Sequence, residues 1–280
     1  MSQLIRPDGT VIYYEVAGSG YPILALAPGG AGSCIDQWRH GPIHPVAAFG
    51  GEFKVIVMDQ RYGGNSRAPL APFSYEQTVG DQLAVLDIEN IANAHLLGSD
   101  IGCSYALRLS YDAPARVTSA VLLDPIGVDE SNSMDTFYNL FRETIRVPRA
   151  DGLSGVVEAA MANPSFIDNP ASGPWAQRLH DEVSFQDTLL SLGRETYIAL
   201  VVEFRDGIWP WRQTCFAIND LALTRIKTPM LVLPGADQLH PPGVAQKICA
   251  DAPNARCLEA DVDSAATLQA IRQFLTELTP

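Results

Sequence analysis

The sequence predicts an α/β fold, with one mostly parallel sheet flanked by helices and a helical lid inserted late in the chain. Three observations carry that prediction. Short apolar runs recur along the chain and alternate with stretches of helical spacing, the pattern of a parallel sheet covered on both faces. A strand-like run, Ala94-His95-Leu96-Leu97, passes through Gly98-Ser99-Asp100-Ile101-Gly102 directly into a helix-like run, a sharp turn flanked by glycines. Between residues 127 and 223 the strand signal disappears and amphipathic pieces separated by Pro and Asn take over. The expected division is a core of residues 1–126 and 224–280 with a lid of residues 127–223.

In order, Leu4-Ile5-Arg6 and Val11–Val16 read as a hairpin joined by an Asp-Gly turn. Ile23–Ala27 is a buried strand that runs into Pro28-Gly29-Gly30-Ala31-Gly32-Ser33, a loop too rich in glycine to be a spacer. Residues 36–49 suggest one helix, and Lys54–Met58 the next strand, which ends in Asp59-Gln60-Arg61-Tyr62-Gly63-Gly64-Asn65-Ser66. Ser74 with Gln77 three residues later is a capping box for a helix carrying Val79, Leu83, Leu86 and Ile91. After the Gly98–Gly102 turn, Ala120–Leu123 is a strand ending in Asp124. Helical pieces follow near Met134–Ile145, Gly155–Met161 and Thr188–Phe204, with aromatics that include Tyr138, Tyr197, Trp209 and Trp211. The sheet resumes at Pro229–Leu233, ends in Gly235-Ala236-Asp237, and is followed by a helix from Pro242, a strand at Ala255–Glu259 and a helix at Ser264–Leu275.

Composition narrows the function classes. The 280 residues are 47% hydrophobic and 18% charged, enough apolar material for a large core. The net charge of −13, from 19 basic and 32 acidic residues, argues against nucleic acid or an anionic membrane as a partner. Five cysteines, an odd number without C-x-x-C spacing, suggest neither a disulfide framework nor a zinc site. With no apolar leader at the start and no membrane-length apolar run, a cytoplasmic setting is the expectation. No dinucleotide fingerprint, P-loop or metal cluster occurs, so no cofactor is expected, and the expected partner is a small-molecule substrate. A homo-oligomer stays open.

The order of these motifs resembles the α/β-hydrolase fold. Pro28-Gly29-Gly30 stands where that family has its oxyanion loop. Asp59–Ser66 resembles its Asp-x-Arg-Gly-x-Gly-x-Ser turn, Gly98–Gly102 its nucleophile elbow, and Gly235-Ala236-Asp237 its acid after the seventh strand. An Asp at the elbow resembles the haloalkane dehalogenase and epoxide hydrolase branches, in which a carboxylate attacks carbon and a His-activated water cleaves the ester. The resemblance implies Asp100 as nucleophile, the N–H groups of Gly30 and Ile101 as oxyanion hole, and Asp237 as the acid that orients a base.

Three departures stand out. The loop that carries the family's catalytic His is here Glu259-Ala260-Asp261-Val262-Asp263-Ser264, with no His. Ile101 and Gly30 offer no side-chain N–H for a halide, and no Arg follows the elbow Asp as it does in the haloacid-cleaving branch. The substitute base is sought among His40, His44, His95, His180 and His240, of which His240, three residues after Asp237, is the candidate. Asp124 is a second candidate acid, and Tyr138 or Tyr197 a candidate activator of an epoxide oxygen. The leading expectation is a hydrolase-like enzyme acting on a small apolar organic molecule. The alternatives are an epimerase, cyclase or lyase of specialised metabolism using Asp100 as general acid or base, and a binding protein with a degenerate site.

Overall fold

A computed structural model of the chain describes residues 2–39, 41, 43–211, 213–260 and 264–280. His40 and the Asp261, Val262 and Asp263 part of the loop discussed above lie outside the described residues.

The strands are β1 (Ser2–Ile5), β2 (Val11–Ala17), β3 (Pro22–Leu26), β4 (Lys54–Met58), β5 (Ala94–Ser99), β6 (Val117–Leu123), β7 (Met230–Leu233) and β8 (Ala255–Cys257). They form one eight-stranded sheet in the order β1-β2-β4-β3-β5-β6-β7-β8. The β1–β2–β4 pairings are antiparallel and the others parallel. The central strands read as unbroken apolar runs because both faces are covered. Leu24, Leu26, Ile56, Met58, Leu96 and Leu122 enter one core cluster. Ile23, Ala25, Val55, Val57, Leu97, Val121 and Leu231 enter the other, the period-2 alternation of a pleated strand.

Ser74 caps the helix Tyr75–Ile88 by accepting from the Gln77 N–H, and Ser264 caps Ala265–Leu278 through the Thr267 N–H. The predicted single helix at 36–49 is corrected. The chain forms a 3₁₀ turn at Ile35–Arg39 and a separate short helix at Pro45–Phe49, with Pro45 in its first turn and His44 as its cap. The Pro at that position has no N–H to continue a preceding helix.

Between β6 and β7 lie the helices Met134–Tyr138, Arg142–Ala162, Ala176–Asp181, Val183–Ser191, Arg194–Ile208 and Asp220–Leu223. The long one is kinked at Gly152, which has φ 71°. Phe137, Phe141, Trp175, Tyr197, Phe204 and Trp209 are buried, and they join the same core cluster as one face of the sheet. The insertion therefore packs as a continuation of the core. Trp211 is the exception, 60% exposed.

The cysteine expectation is also corrected. Cys249, in the helix Pro242–Asp251, is disulfide-bonded to Cys257 in β8, with Cα atoms 5.9 Å apart. Cys34, Cys103 and Cys215 are free and buried. The pair is made by a helix folding back on the strand that follows it, a closeness that an eight-residue spacing does not announce. Disulfides are uncommon in reducing compartments, so the bond does not support the cytoplasmic expectation. Among the described residues no helix is long and apolar enough to cross a membrane.

Candidate active site

The parallel strands β3, β5, β6 and β7 all end on one edge of the sheet, and the loops beyond their carboxyl ends meet there. Beyond β5 stands Asp100, with φ 54° and ψ −121°. A side chain in this left-handed region is strained by about 1–3 kcal/mol. The conformation is held because strand and helix nearly touch. A Cβ on Gly102 would lie 1.9 Å from the Leu26 carbonyl oxygen, and one on Gly98 would lie 2.4 Å from the Gly102 oxygen. The result lifts the Asp100 carboxylate above the sheet, 16% exposed.

Beyond β3 the glycine-rich loop turns its N–H groups onto that carboxylate. Gly29 N–H donates to Asp100 Oδ2 at 2.8 Å and Gly30 N–H at 3.3 Å. This corrects the expected donor pair. Gly30 is one donor, but the second is Gly29, and Ile101 makes no hydrogen bond to the carboxylate. The loop is braced from below. Ser33 Oγ donates to the Ala27 carbonyl at 2.6 Å, and the buried Asp59 accepts from the Ile35 and Asn65 N–H groups at 2.7 Å each. Burial raises the Asp59 carboxyl, and those N–H groups offset part of the rise. The Asp-x-Arg turn is fixed in its turn by Arg61, which bonds Asp81 through two nitrogens at 2.8 and 3.0 Å.

Beyond β7 the loop of residues 235–240 supplies the rest. His240 Nε2 lies 3.2 Å from Asp100 Oδ1, and His240 Nδ1 lies 2.9 Å from both oxygens of Asp237. Asp237 Oδ1 also accepts the backbone N–H groups of Leu239 and His240, so the acid folds its own loop around the imidazole. The turn is tight: a Cβ on Gly235 would lie 2.4 Å from the His240 Cβ. With Nδ1 committed to Asp237, Nε2 is the nitrogen presented to Asp100.

The other described histidines are elsewhere. His44 caps a short helix, and exposed His180 pairs with its neighbour Asp181. His95 is buried in β5 between Ser119 and Thr279, where burial lowers its imidazole to about 4. Asp124 ends β6 with φ 50°, but the carboxylate on His240 Nδ1 is that of Asp237.

Burial alone would lower the His240 imidazole, but its hydrogen bonds and charge pairing with Asp100 and Asp237 outweigh that and push it up to about 9. Burial would likewise raise Asp237, and His240 outweighs it and holds that carboxyl below its usual value. At neutral pH the loop therefore carries an imidazolium between two carboxylates. A raised imidazole stabilises the fold fully below its unfolded value of 6.5 and loses that contribution as pH rises through about 9. The loss is expected to be about 3 kcal/mol at 1.36 kcal/mol per unit. Urea unfolding below pH 6.5 and above pH 9 is expected to show it for the wild type. In His240→Gln that part of the pH dependence is expected to vanish.

Asp100 faces a cavity of about 150 Å³. Its walls are Gly29, Gly30 and Ala31 from the loop, Ile126 and Leu239 from the strand ends, and Leu140, Phe141, Phe166, Ile167, Pro170 and Trp209 from the insertion. Neither tyrosine proposed from the sequence lines it, which is a correction. Tyr197 is fully buried against Gly173 and Trp175, and Tyr138 lies under the Arg205 guanidinium, 4.1 Å away. Of the insertion aromatics named from the sequence, Trp209 does reach the cavity. Gly29, Leu239 and the Phe166-Ile167 pair were not singled out; the glycine run was the one available signal for the first. Among the described residues no group of three or more His, Cys, Asp or Glu is placed to hold a metal ion.

Comparison with known proteins gives the same frame. A sequence model of the α/β-hydrolase fold matches residues 22–262. A relative from Azorhizobium caulinodans that bears the name carbamate hydrolase RutD is 32% identical over 113 residues, 40% of each chain. A soluble epoxide hydrolase from Corynebacterium sp. strain C12 is 29% identical over 119 residues, 42% of this chain and 40% of that one. The chain thus spans under half the length of either of these relatives. An α/β hydrolase of solved structure from Sphaerobacter thermophilus superposes over 99% of both chains, with a TM-score of 0.63 at 20% identity.

Proposed function

The chain belongs to the α/β-hydrolase-fold family, and on that footing we propose that it hydrolyses a small apolar substrate at a saturated, electrophilic carbon, an epoxide above all, through an ester on Asp100. The observation that carries this reading is the division of the Asp100 carboxylate. One oxygen rests on the Gly29 and Gly30 N–H groups and the other on His240, which is itself backed by Asp237.

In the first step Asp100 Oδ1 attacks the ring carbon. The carbon–oxygen bond breaks on the side opposite Oδ1, and its electron pair goes to the ring oxygen, which takes a proton from a water that is reprotonated in turn by His240 Nε2. The proton is released at the right moment for an electrostatic reason. Attack converts the Asp100 anion into a neutral ester and so removes one of the two charges that hold the proton on the imidazole. A separate acid in the insertion is then unnecessary, consistent with Tyr138 and Tyr197 lying off the cavity.

In the second step the now neutral His240, held by Asp237, takes a proton from water. The hydroxide adds to the ester carbon, and the charge developing on Oδ2 falls on the Gly29 and Gly30 donors. Collapse expels the diol, whose leaving oxygen takes the proton from His240. The acid proton of the regenerated Asp100 then returns to His240. Each group ends as it began, and one water has been consumed.

General acid–base chemistry by Asp100 itself fits less well. Proton abstraction by Asp100 alone gives no work to the Gly29 and Gly30 donors or to the Asp237-backed imidazole, both of which the ester route uses. Incubation with small apolar epoxides is expected to yield the vicinal diol with saturation kinetics. Turnover of carboxylic esters with no diol from any such epoxide overturns the reading.

A further inference from the structure

The cavity over Asp100 is small. A space of about 150 Å³ lined by Leu, Ile and Phe holds a molecule the size of benzene, whereas pockets for drug-sized ligands run from about 300 to 1,000 Å³. A substrate much larger than one ring must therefore leave the chamber somewhere. A second pocket of about 290 Å³ lies against it, between the core loops at residues 32–37 and 62–64 and the insertion at residues 163–177. The two share Phe166 and Ile167 as walls. The partition is thin. A Cβ on Gly29 would meet Ile167 Cδ1 at 3.1 Å on one side and Gln37 Cγ at 2.9 Å on the other. Ile167 is 43% exposed, so the dividing side chain is not locked in a core.

The chemistry of the two spaces differs. Apart from Asp100, the inner walls are apolar side chains and glycine loop. The outer pocket is lined by the amides of Gln37, Asn163 and Gln177, the Ser165 hydroxyl, and the carboxylates of Asp36 and Asp168, with no Lys or Arg among its lining residues. The Gln37 side chain makes no hydrogen bond among the described residues, so both ends of its amide are open to a ligand. An anionic group would meet two carboxylates there, Asp36 paired with Arg39 at 2.8 Å and Asp168, and no lining cation.

We propose that the substrate has two parts, an apolar reactive head in the chamber over Asp100 and a hydrogen-bonding, non-anionic tail in the outer pocket beyond Ile167. This rests on the hydrolase reading for the head and on the outer pocket alone for the tail. A tail making two or so net hydrogen bonds is worth about tenfold or more in kcat/KM.

The test compares butylene oxide, the same epoxide carrying a glycerol ether tail, and one carrying a carboxylate tail of equal length. The glycerol-tailed epoxide is expected to exceed butylene oxide by about tenfold or more in kcat/KM, and the carboxylate-tailed one to show no gain. Ser165→Trp, which fills the outer pocket, is expected to bring the ratio of glycerol-tailed to untailed substrate close to one. Gln37→Ala, which removes an amide that makes no hydrogen bond among the described residues, is expected to lower the same ratio by a smaller factor. A second arm uses butyl glycerol ether, which has no epoxide, and reads its binding by saturation-transfer NMR. Binding to the wild type that is lost in Ser165→Trp supports the outer pocket even if no epoxide is ever opened, a result that would sink only the hydrolase reading. No gain from the glycerol tail, or a gain and analogue binding that survive both substitutions, overturns the two-part substrate.

Discussion

Asp100→Asn is expected to lower kcat/KM by at least about 10⁴-fold, as removing a covalent nucleophile does when the rest of the site stays in place. The substitution is close to isosteric. The Asn carbonyl oxygen can still accept from Gly29 and Gly30, and its amide can face His240 across the 3.2 Å now spanned by Asp100 Oδ1. The elbow backbone also tolerates Asn, which visits positive φ more readily than most residues. A melting temperature near that of the wild type is therefore expected beside the lost activity. The charge change has its own readout. Removing the Asp100 anion takes away one of the two charges that push the His240 imidazole up to about 9, so NMR titration is expected to find it moved down toward 6.5. Retention of more than about a hundredth of the wild-type kcat/KM, once deamidation back to Asp is excluded by mass, contradicts a nucleophilic role.

His240→Gln is expected to separate the two steps. A general base contributes about 10²–10⁴-fold, and kcat is expected to fall within that range. The cause lies in the second step. A strained ring that has opened can take its proton from water, but the ester has no other described base beside it. His44, His95 and His180 are each committed elsewhere, and Asp237 faces the imidazole that has been removed. The variant should consume about one equivalent of epoxide per site and then stall. Uniformly slow turnover without such a burst places His240 in the first step alone.

Much of the architecture was legible because it is written in short-range terms. The apolar runs of β3 to β7, the Ser74 cap and the glycines at 98 and 102 each answer a local requirement of strand, helix end or close backbone approach. What sequence did not disclose depends on contacts far apart in the chain. The pairing of His240 with Asp237 is a three-residue spacing that can be read. That its Nε2 reaches Asp100, 140 residues away, is set by β5 and β7, with β6 between them, ending on one edge of the sheet. The choice of Gly29 over Ile101 as a donor follows from how the braced 28–33 loop lies over the elbow. The directions of Tyr138, Tyr197 and Trp209 could not be read from helices whose faces are nearly all packed. Phe166 and Ile167 sit in a Pro- and Asn-rich break that gives no hint of a wall between two cavities.

The claim on which everything else rests is a covalent bond between Asp100 and carbon. The most direct measurement is the mass of the Asp100-containing peptide from His240→Gln, quenched in acid soon after mixing with a small epoxide and digested. The account predicts that this peptide carries the added mass of one substrate, that fragmentation puts it on Asp100, and that mild base removes it as the diol. An unmodified peptide from a sample in which the epoxide has already been opened contradicts it.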